Sequence, residues 1–511
     1  MIGHDRTGDG KRSEPAVKST PVMRQAHDEA AHGIFFGSES LAPRAFVLLA
    51  GVMLVVAIPA RAPDEGGATL LWFTVALLFA IAAYAVIKTK IARANPWIAP
   101  ISLLLGLYFM KYGAGLLLLY YWEDLPFTDF TDLGLVFATF RIRENIGTTC
   151  HIILIGGCGL YLGASQPMTR VSALLPTLRW PIDRSKFNQN LMLYTPIAVL
   201  LVAWTYYYLP LTIRDTVLLF GWIVFVLIVI ASYEFFSSPL VGSVRWFFAI
   251  LLMYGAVFSV FLSTGMREHA VKPALMVVIG YVLARRRFPF RIIVPLIPAL
   301  VLFALPWLTL YKTVDVGETG LAEKIAATNQ RLASVSVQGR LELATAGTLA
   351  RLLVGGPAFV STYSQFYPSV YPYELGRSMI DQTLSLIPRV VWPDRPNLSA
   401  QLNIYTRKVG ILPEAEFDPG STTATFDAIS EYYINFGLAG VLLLTIAHGM
   451  YVRLLYEWLA VRSAFVIGAG CYAVVILLNH DFFGVFQMFL AHTRQLVVWP
   501  LVLYFMSRRS G

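Results

Sequence analysis

Long apolar runs separated by short polar segments recur along most of the chain, and this pattern predicts about twelve membrane-spanning helices. Backbone groups in lipid must form their hydrogen bonds within the segment, so each run is predicted to be helical. The predicted spans cover, in order, residues 45–60, 69–87 and 97–122, a run ending near 164, residues 191–209, 216–236 and 245–264, a run ending at 285, and residues 292–310, 433–452, 464–478 and a last run ending before 508. The predicted fold is an all-α polytopic membrane protein.

Two polar regions interrupt this pattern and divide the chain. Residues 1–44 are charged and lack apolar periodicity, which predicts a disordered tail. Residues 311–430 form one long mixed loop between nine spans within 45–310 and three spans within 431–511. Basic residues collect in every second loop, which places both termini in the cytoplasm and the long loop, with its short helices, on the extracytoplasmic side.

Composition supports a membrane protein and disfavours several other classes. Of 511 residues, 57% are hydrophobic and 14% charged, whereas about a quarter are charged in soluble domains. The net charge of +9 lies largely in short loops that encode topology, so no nucleic-acid partner is expected. The chain contains no Walker loop, HExxH or paired CxxC, which disfavours an ATP-driven transporter and a zinc protease.

Charged residues at two places within the predicted spans are candidates for a functional role. The clean apolar part of the eighth span, Pro273–Ala284, is too short for a bilayer core of about 30 Å. Its helix should therefore draw in the preceding polar residues, including Arg267 and His269, near the extracytoplasmic mouth. Lys111 lies in the middle of the third span and is expected to face the bundle interior, because a central charge in lipid is costly. The sequence identifies no partner for Lys111.

The long loop carries arginines and aromatic residues of the kinds that bind phosphates and sugars. Guanidinium groups bind phosphate oxygens bidentately and stay charged when buried, which suits a diphosphate. Aromatic rings offer stacking surfaces to sugar rings. The substrate-binding candidates are Arg340, Arg377, Arg389, Arg395, Tyr373 and Trp392. Each also has a simpler interpretation, since Arg377 can pair with Asp381 four residues on and loop aromatics often pack within the loop itself.

The end of the loop leads into the tenth span and carries the favoured carboxylate. Asp418-Pro419-Gly420 predicts a turn, with Ser421 or Thr422 as the N-cap of the following helix. On that helix Asp427 and Glu431 share a face. Glu431 is the favoured carboxylate, because it lies at a helix start facing the loop, and Arg267 is the favoured arginine.

Three short segments resemble the bacterial oligosaccharide repeat-unit polymerases, the Wzy-type O-antigen polymerases. Ser263–Arg267 (STGMR) resembles their Thr-Gly-Ser-Arg-type stretch, although Met266 stands where they have serine. Leu386–Pro396 (LIPRVVWPDRP) is similar to their IPR-x-x-WP-x-(K/R)P segment. Glu431–Gly440 (EYYINFGLAG) is similar to their E-x-Y-x-N-F-G-x-x-G entry into the next span. The resemblance covers roughly the second half of the chain.

The resemblance implies a GT-C-related bundle that acts as an inverting membrane glycosyltransferase in the bacterial inner membrane. A growing glycan would leave undecaprenyl diphosphate and join a sugar hydroxyl of the next lipid-linked repeat unit, with no cofactor. Arg267 and one or more of Arg340, Arg377 and Arg389 would neutralise the departing diphosphate, and Glu431 or His269 would be the general base. The implied partners are the undecaprenyl-diphosphate-linked oligosaccharide, membrane lipid, a chain-length regulator and a flippase.

Other functions remain open at this point. A ligase that transfers finished glycan to another acceptor would share the fold and the arginines. A transferase with a single-sugar polyprenyl-phosphate donor often has paired acids in an early loop, and Glu123-Asp124 with Asp129 and Asp132 is a weak version. A transporter or flippase usually shows internal repeats, and none is convincing here.

Replacing the favoured cation tests the resemblance directly. The Arg267→Ala variant should abolish long surface polysaccharide, because the departing diphosphate loses a positive charge. Glycan length on gels, beside immunoblots for protein level, would show single-repeat glycan at normal protein level. Long chains of normal length from this variant would count against Arg267.

Overall fold

The computed structural model describes the chain in segments. They cover residues 64–91, 95, 97–121, 142–176, 223–237, 240–264, 268–314, 320–344, 355–384, 387, 392, 404–410, 427–462 and 465–478, with scattered positions within 187–200 and 495–504. Every regular element in these segments is a helix. The proposed 1–44 tail lies outside them.

The helices vary widely in length, and three of them continue into a short π-helical segment. The α-helices are α1 Asp64–Ile91, α2 Pro100–Tyr108, α3 Gly115–Tyr120, α4 Ile146–Ser165, α5 Thr169–Leu174, α6 Ile223–Ser237, α7 Leu240–Thr264, α8 Glu268–Arg285, α9 Phe290–Ala299, α10 Leu305–Thr313, α11 Leu321–Ser334, α12 Val337–Ala344, α13 Gly355–Phe366, α14 Arg377–Leu384, α15 Ala428–Leu455 and α16 Phe465–Leu478. The π-helical segments are Phe109–Ala114, Leu300–Ala304 and Tyr456–Val461.

Six helical stretches in the described residues are long and apolar enough to cross a membrane. They are Gly67–Lys90, Pro100–Tyr120, Arg143–Ser165, Val244–Leu262, Phe290–Tyr311 and Ala428–Val461. Each coincides with a predicted span. Predicted spans 216–236 and 464–478 correspond in their described parts to the shorter helices α6 and α16, and span 45–60 lies outside the described residues. The chain is therefore an all-α protein with several membrane-spanning candidates, whereas the number twelve remains a prediction.

The centre of the bundle is the contact between α4 and α15. Gly159 and Gly163 lie one turn apart on α4 and face Thr445 and Gly449 of α15. A Cβ at Gly163 would overlap the carbonyl oxygen of Ile446, and one at Gly449 would lie 2.6 Å from the Leu160 carbonyl oxygen. Small residues at four-residue spacing let helix backbones approach closely in membranes. This contact fixes α15 against the rest of the bundle.

The far end of α15 contains a buried ion pair. Arg453 Nε lies 2.5 Å from Glu457 Oε1, and both side chains are almost fully buried. The backbone N–H of Met168, just before α5, donates to the same carboxylate at 3.3 Å. The pair lies where α15 becomes π-helical, and both of these contacts involve the same Glu457 oxygen, Oε1.

One local expectation differs from the structure. Asp427, rather than Ser421 or Thr422, is the N-cap of α15, because its carboxylate accepts the Ser430 backbone N–H at 2.8 Å. Within the predicted long loop, α11 ends at Ser334 and α12 begins at Val337. The helix at the predicted eighth span, α8, starts at Glu268 and includes His269, ahead of the apolar part that begins at Pro273.

A matched pair of glycine substitutions tests the α4–α15 contact. Gly163→Ala should destabilise the protein by about 1–3 kcal/mol, because the new Cβ meets backbone that cannot move aside. Gly255→Ala on α7 should be neutral or slightly stabilising, since open space surrounds Gly255. Thermal unfolding in detergent would compare the two. Equal unfolding temperatures for both variants would contradict the close contact.

Candidate functional site

Helix α15 is broken at Gly437, and the break organises the candidate site. Gly437 has φ 64° and ψ −152°, a backbone conformation that side chains other than glycine rarely adopt. A Cβ there would also lie 2.7 Å from the Tyr373 hydroxyl oxygen. Glycine is therefore required by both the conformation and the close approach of Tyr373. The break interrupts the helical hydrogen-bond ladder just before it.

Three consecutive backbone N–H groups satisfy the broken helix end. Glu374 N donates to the Ile434 carbonyl oxygen at 2.9 Å, and Leu375 N donates to the Asn435 carbonyl oxygen at 3.1 Å. Gly376 N donates to Asn435 Oδ1 at 2.8 Å. Leu375 and Gly376 have φ of 48° and 90°. This turn conformation points three neighbouring N–H groups towards residues 434 and 435, where they bind two carbonyl oxygens and the Asn435 side chain.

A second set of contacts, the glutamate clamp, joins α14 to the start of α15. It consists of Glu431, Ser378, Gln382 and Asn435. Ser378 Oγ donates to Glu431 Oε1 at 3.1 Å, and Gln382 Nε2 donates to the same oxygen. Asn435 Nδ2 donates to Ser378 Oγ and to the Glu431 carbonyl oxygen, each at 2.7 Å. Glu431 is only 1% exposed, so these donors replace water around its carboxylate.

One turn before Glu431 lies the lysine–carboxylate centre, which comprises Lys111, Tyr112, Gly356 and Asp427. Lys111 and Tyr112 belong to the π-helical segment Phe109–Ala114. The Tyr112 hydroxyl donates to Asp427 Oδ2 at 2.8 Å. A Cβ on Gly356 would lie 2.8 Å from Lys111 Cε and 2.9 Å from Asp427 Oδ2, so these atoms surround one point. Because Gly356 has no side chain, it leaves space for the side chains of Lys111 and Asp427 to approach each other.

The electrostatics of the centre explain why these residues are together. Burial raises the pKa of the Asp427 carboxyl, whereas Lys111 and hydrogen bonds from Ser430 and Tyr112 oppose that rise. The nearby charge of Lys111 offsets part of the cost of burying a carboxylate. π-Helical turns within α-helices occur frequently at functional sites. The centre therefore combines a buried acid, a cation and a phenol where an otherwise regular span is distorted.

Three of the residues predicted from the sequence come together around the break. Glu431 lies in the glutamate clamp, and Tyr373 contacts Gly437 with its ring edge-on to Tyr433 at 6.2 Å between centroids. Arg377 begins α14 with an exposed side chain. Asp381 accepts a hydrogen bond from the Tyr405 hydroxyl at 3.3 Å.

Other predicted residues lie on different elements. Arg340 on α12 donates to the carbonyl oxygens of Leu332 and Val335 at 3.0 and 3.2 Å, so it closes the end of α11. His269 is buried at the start of α8, which packs on α6, α7 and α16. Trp392 is an isolated described position with an exposed side chain. Arg267, Arg389 and Arg395 lie outside the described residues.

The sequence drew attention to Lys111 and to Asp427 separately, but it did not indicate that the two residues lie close together. The i, i+4 spacing of Asp427 and Glu431 showed a shared helix face, and the central position of Lys111 showed that it needs a partner. The two are far apart in the chain, so only the tertiary structure reveals their proximity. In the part of the chain that the structure describes, no group of three or more His, Cys, Asp or Glu side chains could hold a metal ion.

A double-mutant cycle tests the lysine–carboxylate centre. Lys111→Met and Asp427→Asn should each destabilise the protein by up to about 3–5 kcal/mol, because each leaves the other residue without its opposite charge. Asparagine still caps a helix, so Asp427→Asn keeps the cap. The double variant should lose less than the sum, by roughly 0.5–3 kcal/mol.

Reversible denaturation in mixed micelles would give the unfolding free energies for this cycle. Gly106→Ala serves as the control on the same span, since nothing surrounds that position. Strictly additive effects of the two charge substitutions would mean that Lys111 and Asp427 do not interact.

Comparison with known proteins does not identify a family for the chain. No protein-family model, curated protein or solved structure matches the chain. The resemblance to repeat-unit polymerases therefore stays a prediction from three short segments. Of these, Glu431–Gly440 is fully described, whereas Arg267 and most of Leu386–Pro396 are not.

Proposed function

We propose that the chain is a membrane polymerase of lipid-linked oligosaccharide repeat units. In this proposal it transfers a growing glycan from undecaprenyl diphosphate to a sugar hydroxyl of the next lipid-linked unit, at the extracytoplasmic face of the inner membrane. The reaction breaks the bond between the anomeric carbon and the diphosphate oxygen and forms a bond to the acceptor oxygen. The acceptor proton passes to a base, and the lipid diphosphate leaves.

The observation that carries this proposal is the juxtaposition of the lysine–carboxylate centre with the glutamate clamp. Together they place Lys111, Asp427 and Glu431 where the segment 355–384 meets a membrane-spanning candidate. A transferase with a lipid-linked donor needs charged groups where its bundle meets the segment outside it, because the donor's diphosphate has to be bound there during transfer. A cation can neutralise the leaving group there, and a carboxylate can accept the proton.

The residues divide into two roles under this proposal. Lys111 is partly exposed and Arg377 is exposed, so both cations are accessible to a diphosphate, and Arg267 would join them. Asp427 is the carboxylate beside a cation and a phenol, which suits a proton acceptor. Glu431 accepts hydrogen bonds from two side chains of α14 and thereby positions that helix. GT-C-like architecture and cytoplasmic termini belong to the same proposal.

A transporter of lipid-linked glycan is the second candidate, and the broken helix favours it. Discontinuous spans often form substrate sites in transporters. In this chain, however, the broken end is occupied by the N–H groups of Glu374, Leu375 and Gly376. That arrangement leaves fewer backbone groups for a transported substrate, so polymerase is preferred.

Reconstitution with a defined donor tests the proposal. Purified protein in liposomes, given undecaprenyl-diphosphate-linked repeat units, should produce a ladder of longer glycans on a gel. Lys111→Met and Asp427→Asn, compared at equal amounts of folded protein, should each slow chain growth by roughly 10²-fold, because the first removes charge stabilisation of the leaving diphosphate and the second removes the proton acceptor. Gly255→Ala should retain the parental rate.

Two outcomes would contradict the polymerase. Folded protein that leaves the single units unchanged, with every donor arrangement tested, would exclude chain growth. Movement of labelled units across the bilayer without chain growth would instead support the transporter.

A further inference from the structure

Helix α14 exposes large apolar side chains and buries two polar ones. Ser378 and Gln382 are buried beside Met379 and donate hydrogen bonds to Glu431. Ile380 is 60% exposed, and Leu384 is exposed one turn further on. A helix in contact with water usually buries its apolar stripe and exposes polar residues. The exposed Ile380 and Leu384 depart from that pattern.

The turn before α14 extends the same exposed apolar surface. Leu375 is 75% exposed although its backbone has a φ of 48°, in the left-handed region that leucine disfavours. This conformation lets the Leu375 N–H bind the Asn435 carbonyl oxygen at the broken helix end, and the Leu375 side chain projects outward. Leu375, Ile380 and Leu384 thus form one outward-facing apolar row.

This row is continuous with the exposed surface of α15, which is itself a membrane-spanning candidate. Phe436 and Leu438, on either side of the break, are 39% and 43% exposed. A Cβ on Gly376 would lie 3.4 Å from Phe436 Cζ, so the turn rests directly against that ring. Hydrocarbon that surrounds α15 would therefore reach α14 without interruption.

We infer that α14 and its preceding turn lie within the membrane interface, with Leu375, Ile380 and Leu384 among the acyl chains of the lipid bilayer. Arg377 is exposed on the same helix face, three residues before Ile380. A guanidinium at that position can bind lipid phosphates, while the apolar row enters the hydrocarbon. The inference places part of the predicted 311–430 loop in lipid, and it does not depend on the proposed function.

The exposed apolar side chains of this region favour lipid as the occupant. Water would leave Leu375, Ile380 and Leu384 in contact with the aqueous phase, which is unfavourable. A lipid phosphate can bind the exposed Arg377 guanidinium, and the acyl chains supply the apolar phase. A second copy of the chain is the remaining occupant, and the experiment separates it.

Nitroxide accessibility in lipid nanodiscs measures where α14 lies. A spin label on Ile380→Cys should collide often with oxygen and rarely with a water-soluble nickel chelate. Leu443→Cys, exposed on α15, is the lipid reference, and Gln330→Cys, exposed on the polar helix α11, is the aqueous reference. The native thiols at Cys150, Cys158 and Cys471 are buried, so the labelling is directed to the introduced cysteine.

The inference expects an oxygen-to-nickel collision ratio at Ile380 that matches Leu443 and exceeds Gln330 several-fold. A ratio equal to that at Gln330 would overturn it, since the helix would then face water. Low collision rates with both reagents would also overturn it, because protein rather than lipid would then cover the face. Nanodiscs loaded with a single copy ensure that a lipid-like ratio cannot arise between two copies.

Discussion

Polar groups inside a bundle surrounded by hydrocarbon must find their partners within the protein, because lipid offers none. The break at Gly437 would release carbonyl groups into such surroundings, and the turn at Leu375 and Gly376 supplies the donors. The same constraint accounts for the clustering of Lys111 and Asp427 and for the buried pair of Arg453 and Glu457. A distorted helix is therefore maintained by contacts from outside that helix.

Sequence periodicity was informative where the physics is local. Apolar runs identify helices because each span satisfies its own backbone, and six predicted spans coincide with long apolar helices in the described residues. The predicted N-cap of α15 was wrong. Ser421, Thr422 and Asp427 are all good cap residues, and only the folded chain shows that the Asp427 carboxylate reaches a backbone N–H. The π-helical turn at Lys111 has no reliable sequence signal.

The candidate site was only partly predictable for a related reason. Glu431, Asn435 and Gly437 could be recognised as an ordered motif, yet their contacts are with α14 and its preceding turn, 49 or more positions earlier in the chain. Arg340 was chosen for its charge, but the structure shows it binding the last carbonyl groups of α11. A side chain's type indicates what it can bind, whereas its position decides which group it meets.

The turn formed by Glu374, Leu375 and Gly376 also couples the unfolding of α14 to that of the first turns of α15. Detaching this turn would strip donors from two main-chain oxygens at the membrane boundary, and straightening α15 would remove their acceptors. Neither change is favourable alone. Segment 374–384 and the first turns of α15 should thus open together as one cooperative unit, so slow amide exchange would extend from the span into what sequence reasoning treats as a loop.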